Sequence, residues 1–229
     1  MIRAIIFDLD GTIADTEPLH YEAFAQVLRG QGIELTLKHY TEELIGYDDR
    51  GCFETMLREA SQRVDDGIIK QLIDQKAAIY GHMIAVRDVI YPGAASFVRR
   101  CAERFPLMLV TGTLKHEAEA ILGSSGLRNL FLDVIAAEDV THGKPAPDGF
   151  LAGLGRLGFI LRPHPSINAD ECLVFEDTVA GVTAARAAGM RIAAFCHTAT
   201  PSQLVDADLV LPAIRRADLD VILRHFSEG

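Results

Sequence analysis

Two aspartates one residue apart, Asp8 and Asp10, end the first apolar run of the chain and lead into Gly11-Thr12, and a second acidic pair, Glu176-Asp177, ends another apolar run far downstream. Thr111 directly follows the apolar run Leu107 to Val110, and Lys144 sits in Gly143-Lys144-Pro145-Ala146-Pro147-Asp148. Three or four carboxylates brought to one place repel one another unless a cation lies among them. The set offers oxygen donors and neither His nor Cys, so a hard ion such as Mg²⁺ is the expected resident, with phosphate oxygens and water as its remaining ligands. A phosphorylated substrate follows from that preference.

Roles divide between the two aspartates. Asp8 ends a strand and projects from rigid scaffolding, and Asp10 lies on the same side two residues on. An ionised Asp8 can attack phosphorus, while Asp10 can protonate the leaving oxygen and later deprotonate the hydrolytic water. Gly11 and Thr12 supply a tight turn with backbone N–H donors. Phosphoryl transfer otherwise needs alignment and neutralised charge, for which Lys144, stiffened by two prolines, and Thr111 are the candidates. Plainer readings exist for each residue taken singly. Acids after a strand cap helices, Glu176-Asp177-Thr178 reads as a helix start in which Glu176 serves structure more than metal contact, and Thr111 reads as a hydroxyl bonded to backbone. It is the ordered recurrence of these residues at strand ends that favours chemistry.

The elements that must position them are legible in the apolar pattern. Runs at Ile2 to Phe7, Leu107 to Val110, Val134 to Ala137, Cys172 to Phe175, Ile192 to Phe195 and Leu209 to Leu211 read as buried strands, most of them separated by helical patterns such as Ala94 to Glu103, Pro147 to Leu157 and Val179 to Ala188. This alternation predicts an α/β fold, a doubly wound parallel sheet whose ligands bind beyond the carboxyl ends of its strands. Between Ala14 and about Arg87 the periodicity is helical throughout, which predicts an inserted all-helical cap over 14–87 and an α/β catalytic core over 1–13 and 88–229. Gly32, Gly46, Gly67 and Gly81 are expected to divide the cap into three or four helices. Its two adjacent linkers predict a movable cap, and Leu161 to Asp170, with Pro163 and Pro165, reads as an exposed loop. Asp48 and Asp49 read as a helix start.

Asp8-Leu9-Asp10-Gly11-Thr12, Thr111, the Gly143 to Asp148 segment and Glu176-Asp177-Thr178-Val179-Ala180-Gly181, in this order, resemble the four motifs of the haloacid dehalogenase (HAD) superfamily, over essentially the whole chain. A helical cap between the first two motifs is similar to the branch that holds β-phosphoglucomutase and many small-metabolite phosphatases. The resemblance implies a Rossmann-like HAD core, Asp8 as nucleophile, Asp10 as acid/base, and Mg²⁺ held by Asp8, the Asp10 backbone carbonyl and Glu176-Asp177. Substrate contacts are expected at Thr111, Gly112 and Lys144 in the core and at His20 and Arg50 in the cap. Dehalogenases lack the second aspartate, so Asp10 argues against dehalogenation. The β-phosphoglucomutase cap carries a Lys-Gly pair with an Arg shortly after, whereas this chain reads Ile45-Gly46-Tyr47-Asp48-Asp49-Arg50; the lost lysine favours a phosphatase, and His20, placed like the mutase hinge histidine, favours a mutase. A non-catalytic binding protein on the same scaffold is the third reading.

Composition excludes other classes. With 22 Lys and Arg against 32 Asp and Glu, the net charge is −10, and no basic run offers a track for nucleic acid. An acidic surface repels an anionic metabolite, so the site needs local cations. No apolar run is long enough for a membrane span, and Met1 to Phe7 lacks the pattern of a signal peptide. The four cysteines form no C-x-x-C pair and read as free thiols in a reducing, cytoplasmic setting. His116 and His142 have no partner at metal-ligand spacing and read as surface residues, and specificity is expected in the cap and in a loop near Lys115 and His116.

Overall fold

A computed structural model describes residues 1–44, 47, 49–162 and 166–227. Ile45, Gly46 and Asp48 of the cap comparison, the punctuation expected at Gly46, and Pro163 and Pro165 of the expected loop lie outside the described residues. In chain order the elements are β1 (Ala4–Phe7), α1 (Glu17–Gly30), α2 (Leu37–His39), a π-helical turn (Tyr40–Leu44), α3 (Asp49–Glu59) and α4 (Asp66–Val86). Then follow α5 (Ala94–Ala102), β2 (Leu107–Val110), α6 (Lys115–Ser124), β3 (Phe131–Ile135), α7 (Asp148–Ile160), β4 (Cys172–Glu176), α8 (Val179–Ala187), β5 (Arg191–Phe195), β6 (Leu209–Leu211) and α9 (Leu219–His225). They fall into two compact units, Met1–Asp15 with Asp88–Gly229, and Thr16–Arg87.

The first unit is built on a six-stranded parallel sheet in the order β3-β2-β1-β4-β5-β6. All four residues of β1 are buried, as a strand covered on both faces requires. Its alternate side chains serve different layers. Ile6, with Met108, Val110, Val174 and Ile192, packs under Phe150 and Leu157 of α7 and Val182 and Ala185 of α8. Phe7 turns to the opposite face, where its ring stacks on Phe175 at 4.9 Å and meets Phe97 of α5 edge-on at 6.2 Å. This rigid aromatic layer lies directly beneath the last residues of β1 and β4, so the side chains that follow them start from fixed backbone.

The second unit has its own apolar cluster, in which Phe24 of α1 meets Phe53 of α3 edge-on at 5.1 Å beside Leu28, Leu57 and Leu72. Thr36 accepts from the amide of His39, and Asp65 from that of Ile68, closing two helix starts. Gly67 falls beside the break between α3 and α4, as expected, but Gly81 lies inside α4, which runs unbroken from Asp66 to Val86. A glycine costs a helix only about 1 kcal/mol, and burial of Ile69, Leu72, Tyr80 and Ile84 along one face outweighs it. The expected loop at Lys115 and His116 is likewise the first turn of α6, whose open amide at Lys115 is taken by the carboxylate of Glu138. In the first unit, Ile2 and Arg3 fall outside β1, and β3 begins three residues before the expected run.

Candidate active site

Five parallel strands, β1 to β5, end at one edge of the sheet, and the segments that follow them supply the residues gathered there. Asp8 follows β1, with its amide donating to the carbonyl of Phe175 (3.0 Å), so β1 and β4 are tied together at their ends. Beyond it the chain turns sharply: the amides of Thr12, Ile13 and Ala14 all donate to the carbonyl of Leu9. Gly11, at φ +79°, is required there twice over. Its conformation disfavours side chains, and a Cβ would stand 2.0 Å from Asp177 Oδ2.

Lys144 Nζ bridges two buried carboxylates, at 2.5 Å from Asp8 Oδ1 and 2.5 Å from Glu176 Oε1. The peptide bond that follows, to Pro145, is cis. Burial works against the ammonium, but the charges of Asp8 and Glu176 outweigh it and raise its pKa above the ordinary lysine range. Glu176 spends its other oxygen internally: Oε2 accepts from the amides of Asp177 (2.8 Å) and Thr178 (2.9 Å) and from the Thr178 hydroxyl (2.9 Å). A carboxylate so fully engaged is a structural anchor that orients Lys144 and the start of α8.

Asp177 is the complement of this arrangement. Its Oδ1 accepts from Thr12 Oγ1 at 3.0 Å, whereas Oδ2 is buried without a hydrogen-bond partner. Burial and the neighbouring Glu176 charge push its pKa up to about 7, against the restraint of the Thr198 and Thr12 hydroxyls and Lys144. Asp8 is raised well above the carboxylate range by burial, with Glu176, Asp177 and Asp10 adding to the rise and Lys144 opposing it. Oxygens of Asp8, Glu176 and Asp177 lie within 4.8 Å of one another. A buried acidic cluster with an orphaned carboxylate oxygen and oxygen donors alone fits a hard divalent cation.

Asp10 is oriented from β2. Thr111 Oγ1 donates to Asp10 Oδ2 at 3.2 Å, and Thr113 Oγ1 bonds the same oxygen. The Thr113 amide in turn donates to Thr111 Oγ1 at 3.0 Å, so the two hydroxyls form one unit. Gly112 lies between them and lines, with Thr111 and Lys144, a cavity of about 210 Å³. Sequence reasoning found Thr111 and overlooked Thr113; the available signal was the i, i+2 spacing, which returns to the same side of an extended segment. It also named no residue after β5, where Thr198 flanks Asp177 and His197 Nδ1 lies 2.6 Å from the carbonyl oxygen of Gly11.

The two expected cap contacts lie in the helical unit. His20 Nδ1 is 2.9 Å from Lys76 Nζ and its ring stacks on Tyr80 at 4.2 Å, while Lys76, itself buried, also donates to Asp49 Oδ1 at 2.8 Å. Arg50 is bonded to Glu54 (3.1 Å) and Asp66 (2.9 Å). Among the described residues no helix is long and apolar enough to cross a membrane.

Known proteins resemble this chain in sequence and in fold. The chain is 34% identical over 194 residues to fructose-1-phosphate phosphatase YqaB of Escherichia coli (strain K12), covering 81% of this chain and 92% of that one. It is 31% identical over 204 residues to a phosphorylated carbohydrates phosphatase of Thermotoga maritima, covering 86% and 87%. The fold is shared with a β-phosphoglucomutase from Clostridium difficile at a TM-score of 0.82, with 24% identity over 100% of this chain and 98% of that one. A family model for haloacid dehalogenase-like hydrolases matches residues 2–189, and the chain belongs to that family.

Proposed function

We propose that this protein is a Mg²⁺-dependent phosphatase that hydrolyses a small phosphorylated metabolite, a sugar phosphate or similar compound, through a phosphoaspartate at Asp8. The observation that carries the reading is the division of labour at the sheet edge: Asp8 beside the Lys144 ammonium, Asp10 held apart by two threonine hydroxyls, and Asp177 with an unsatisfied oxygen. The curated relatives named above, both phosphatases of phosphorylated carbohydrates, support the substrate class.

In this reading an Asp8 carboxylate oxygen bonds to phosphorus as the bond from phosphorus to the leaving oxygen breaks, and Asp10 gives that oxygen its proton. Asp10 then takes a proton from water, whose oxygen bonds to phosphorus and releases Asp8 and inorganic phosphate. Lys144 neutralises charge at Asp8 and on the transferred group, and Thr111 and Gly112 supply donors to it. Asp8, the Asp10 carbonyl and Asp177 would hold Mg²⁺, with Glu176 behind them. The ion, when bound, supplies positive charge to the phosphoryl oxygens. The core over 1–13 and 88–229 carries this chemistry, and residues 14–87, including His20 and Arg50, form the cap. Four free cysteines support a reducing, cytoplasmic setting.

The test is phosphate release from a panel of sugar phosphates and small phosphomonoesters, with and without Mg²⁺, for the native chain and Asp8→Asn. Metal-dependent release abolished by the substitution is expected. Sugar isomerisation exceeding phosphate release would replace the phosphatase with a mutase, and no turnover of any ester would leave the scaffold as a binding protein.

A further inference from the structure

The loop after β5 contributes one side chain with no role in the chemistry above, yet it grips the nucleophile turn. His197 Nδ1 lies 2.6 Å from the carbonyl oxygen of Gly11, and its Nε2 lies 3.3 Å from the amide nitrogen of Ile214. A carbonyl oxygen can only accept and an amide N–H can only donate, so both contacts require one tautomer, with the proton on Nδ1 and the lone pair on Nε2. The ring plane is fixed as well, stacked on Tyr91 at 4.2 Å and on Phe195 at 5.6 Å. Phe195 stacks on Phe175 at 5.6 Å, and Phe175 on Phe7, so the imidazole is held between Tyr91 and the aromatic layer beneath the site.

What His197 holds matters because of Gly11. That residue separates Asp10 from Thr12, whose hydroxyl bonds Asp177. The adjoining Thr198 closes the same turn: its Oγ1 and the Asp177 carboxylate both stand within 2.7 Å of where a Gly11 Cβ would be, and the Ala199 amide donates to the Asp177 carbonyl (3.3 Å). The turn is therefore clamped between α8's approach and the loop after β5, and His197 is the donor that fixes its carbonyl.

We infer that His197 is a positioning residue for phosphoryl transfer: as the Nδ1-protonated tautomer anchored by Ile214, it holds the Gly11 carbonyl and thereby sets the path of Asp8 to Thr12. The assignment rests on the reading of Asp8 as nucleophile and Asp10 as acid/base.

The two contacts can be separated chemically, since an Asn amide reaches the Nδ1 position and a Gln amide the Nε2 position. His197→Asn restores donation to Gly11 and gives up Ile214; His197→Gln does the reverse. The expected result is kcat within about threefold of native for His197→Asn and lowered roughly 10- to 100-fold for His197→Gln, with KM little changed in both, as for loss of alignment without loss of binding. Equal losses in the two variants, or losses that follow the thermal midpoint, would overturn the assignment. Two readouts stand apart from turnover. Nitrogen-15 NMR of the histidine-labelled native chain should show the Nδ1-protonated tautomer at His197, and amide exchange over residues 8–14 should be faster in His197→Gln than in His197→Asn. Absence of turnover in the native chain with both of these as expected would defeat the phosphatase reading alone; the opposite tautomer, or equal exchange, would defeat the role of His197 whatever the activity.

Discussion

Lys144 Nζ stands 2.5 Å from Asp8 Oδ1, so the cation that in the proposed reaction would compensate a transferred phosphoryl group already compensates the Asp8 carboxylate. Because the same nitrogen reaches Glu176, Lys144→Met strands two buried carboxylates together. We expect it to destabilise the fold by about 3–5 kcal/mol at neutral pH, the cost of breaking a buried pair, and to lower kcat by roughly 100-fold or more. Urea denaturation should show a larger loss at pH 8 than at pH 5, where protonation relieves the stranded acids. An equal loss at both would show that their charges are not what the lysine compensates.

The raised pKa of Asp177 gives a second prediction, with a definite sign. Its folded value of about 7 lies above the unfolded value near 3.8, so its contribution to stability is fully present below the unfolded value and is lost as pH rises through 7. Divalent metal reverses the cost by binding the ionised form, so Mg²⁺ should raise the thermal midpoint more at pH 8 than at pH 6 and release protons on binding at pH 6. Asp177→Asn should abolish the Mg²⁺ shift and leave the metal-free chain at pH 8 at least as stable as the native one. Thermal scans at the two pH values, with and without Mg²⁺, check all three.

Thr113 should matter to rate more than to stability. Removing its hydroxyl in Thr113→Val takes away one of the bonds orienting Asp10, a loss of about 1 kcal/mol in stability but roughly 10- to 100-fold in kcat through misalignment. Since Thr111 and Thr113 act on one oxygen and on each other, the double substitution should cost less than the product of the single losses. Steady-state kinetics of the four proteins in the cycle would reveal independent action if the effects simply multiply.

Two glycines in the core helices should respond oppositely to alanine. A Cβ at Gly181 in α8 would lie 1.7 Å from Glu176 Oε1, and Glu176 cannot retreat while it holds three donors and Lys144. Gly181→Ala should therefore cost at least about 2 kcal/mol by overpacking. Gly155 in α7 is exposed and meets nothing within 4 Å, so Gly155→Ala should stabilise by about 0.5–1 kcal/mol. Denaturant midpoints for the two variants decide.

The sheet was readable because its strands are continuous apolar runs; Asp8, Asp10, Thr111, Glu176 and Asp177 stood out as polar residues where those runs stop, and Lys144 as a lone cation in a loop stiffened by two prolines. Glycine misled in α4 because local propensity is a small term beside the burial of a 21-residue amphipathic face. Thr113 left only the faint signal of its i, i+2 spacing from Thr111, and Thr198 left none, since a threonine in a turn has no periodic signal and only the fold shows that it points at a carboxylate. His197 was harder still, since its partners are the backbone groups of Gly11 and Ile214, which have no side-chain chemistry to read. The full occupation of Glu176 was half legible, as the helix-start reading of that segment anticipated its bonds to Asp177 and Thr178 but not the bridge to Lys144.

The strand order has a bearing on how the molecule is made. β1 pairs with β2 and β4, so as the polypeptide leaves the ribosome the stretch Ala4–Phe7 waits, apolar and unpaired, through the synthesis of the whole helical unit until β2 is made, and gains its second neighbour only with β4. Residues 16–87, contiguous and with their own apolar cluster, emerge complete in that interval. Asp8 meets its acidic partners only once Glu176 and Asp177 have been translated. The site proposed above is therefore incomplete in the nascent chain until β4 closes against β1.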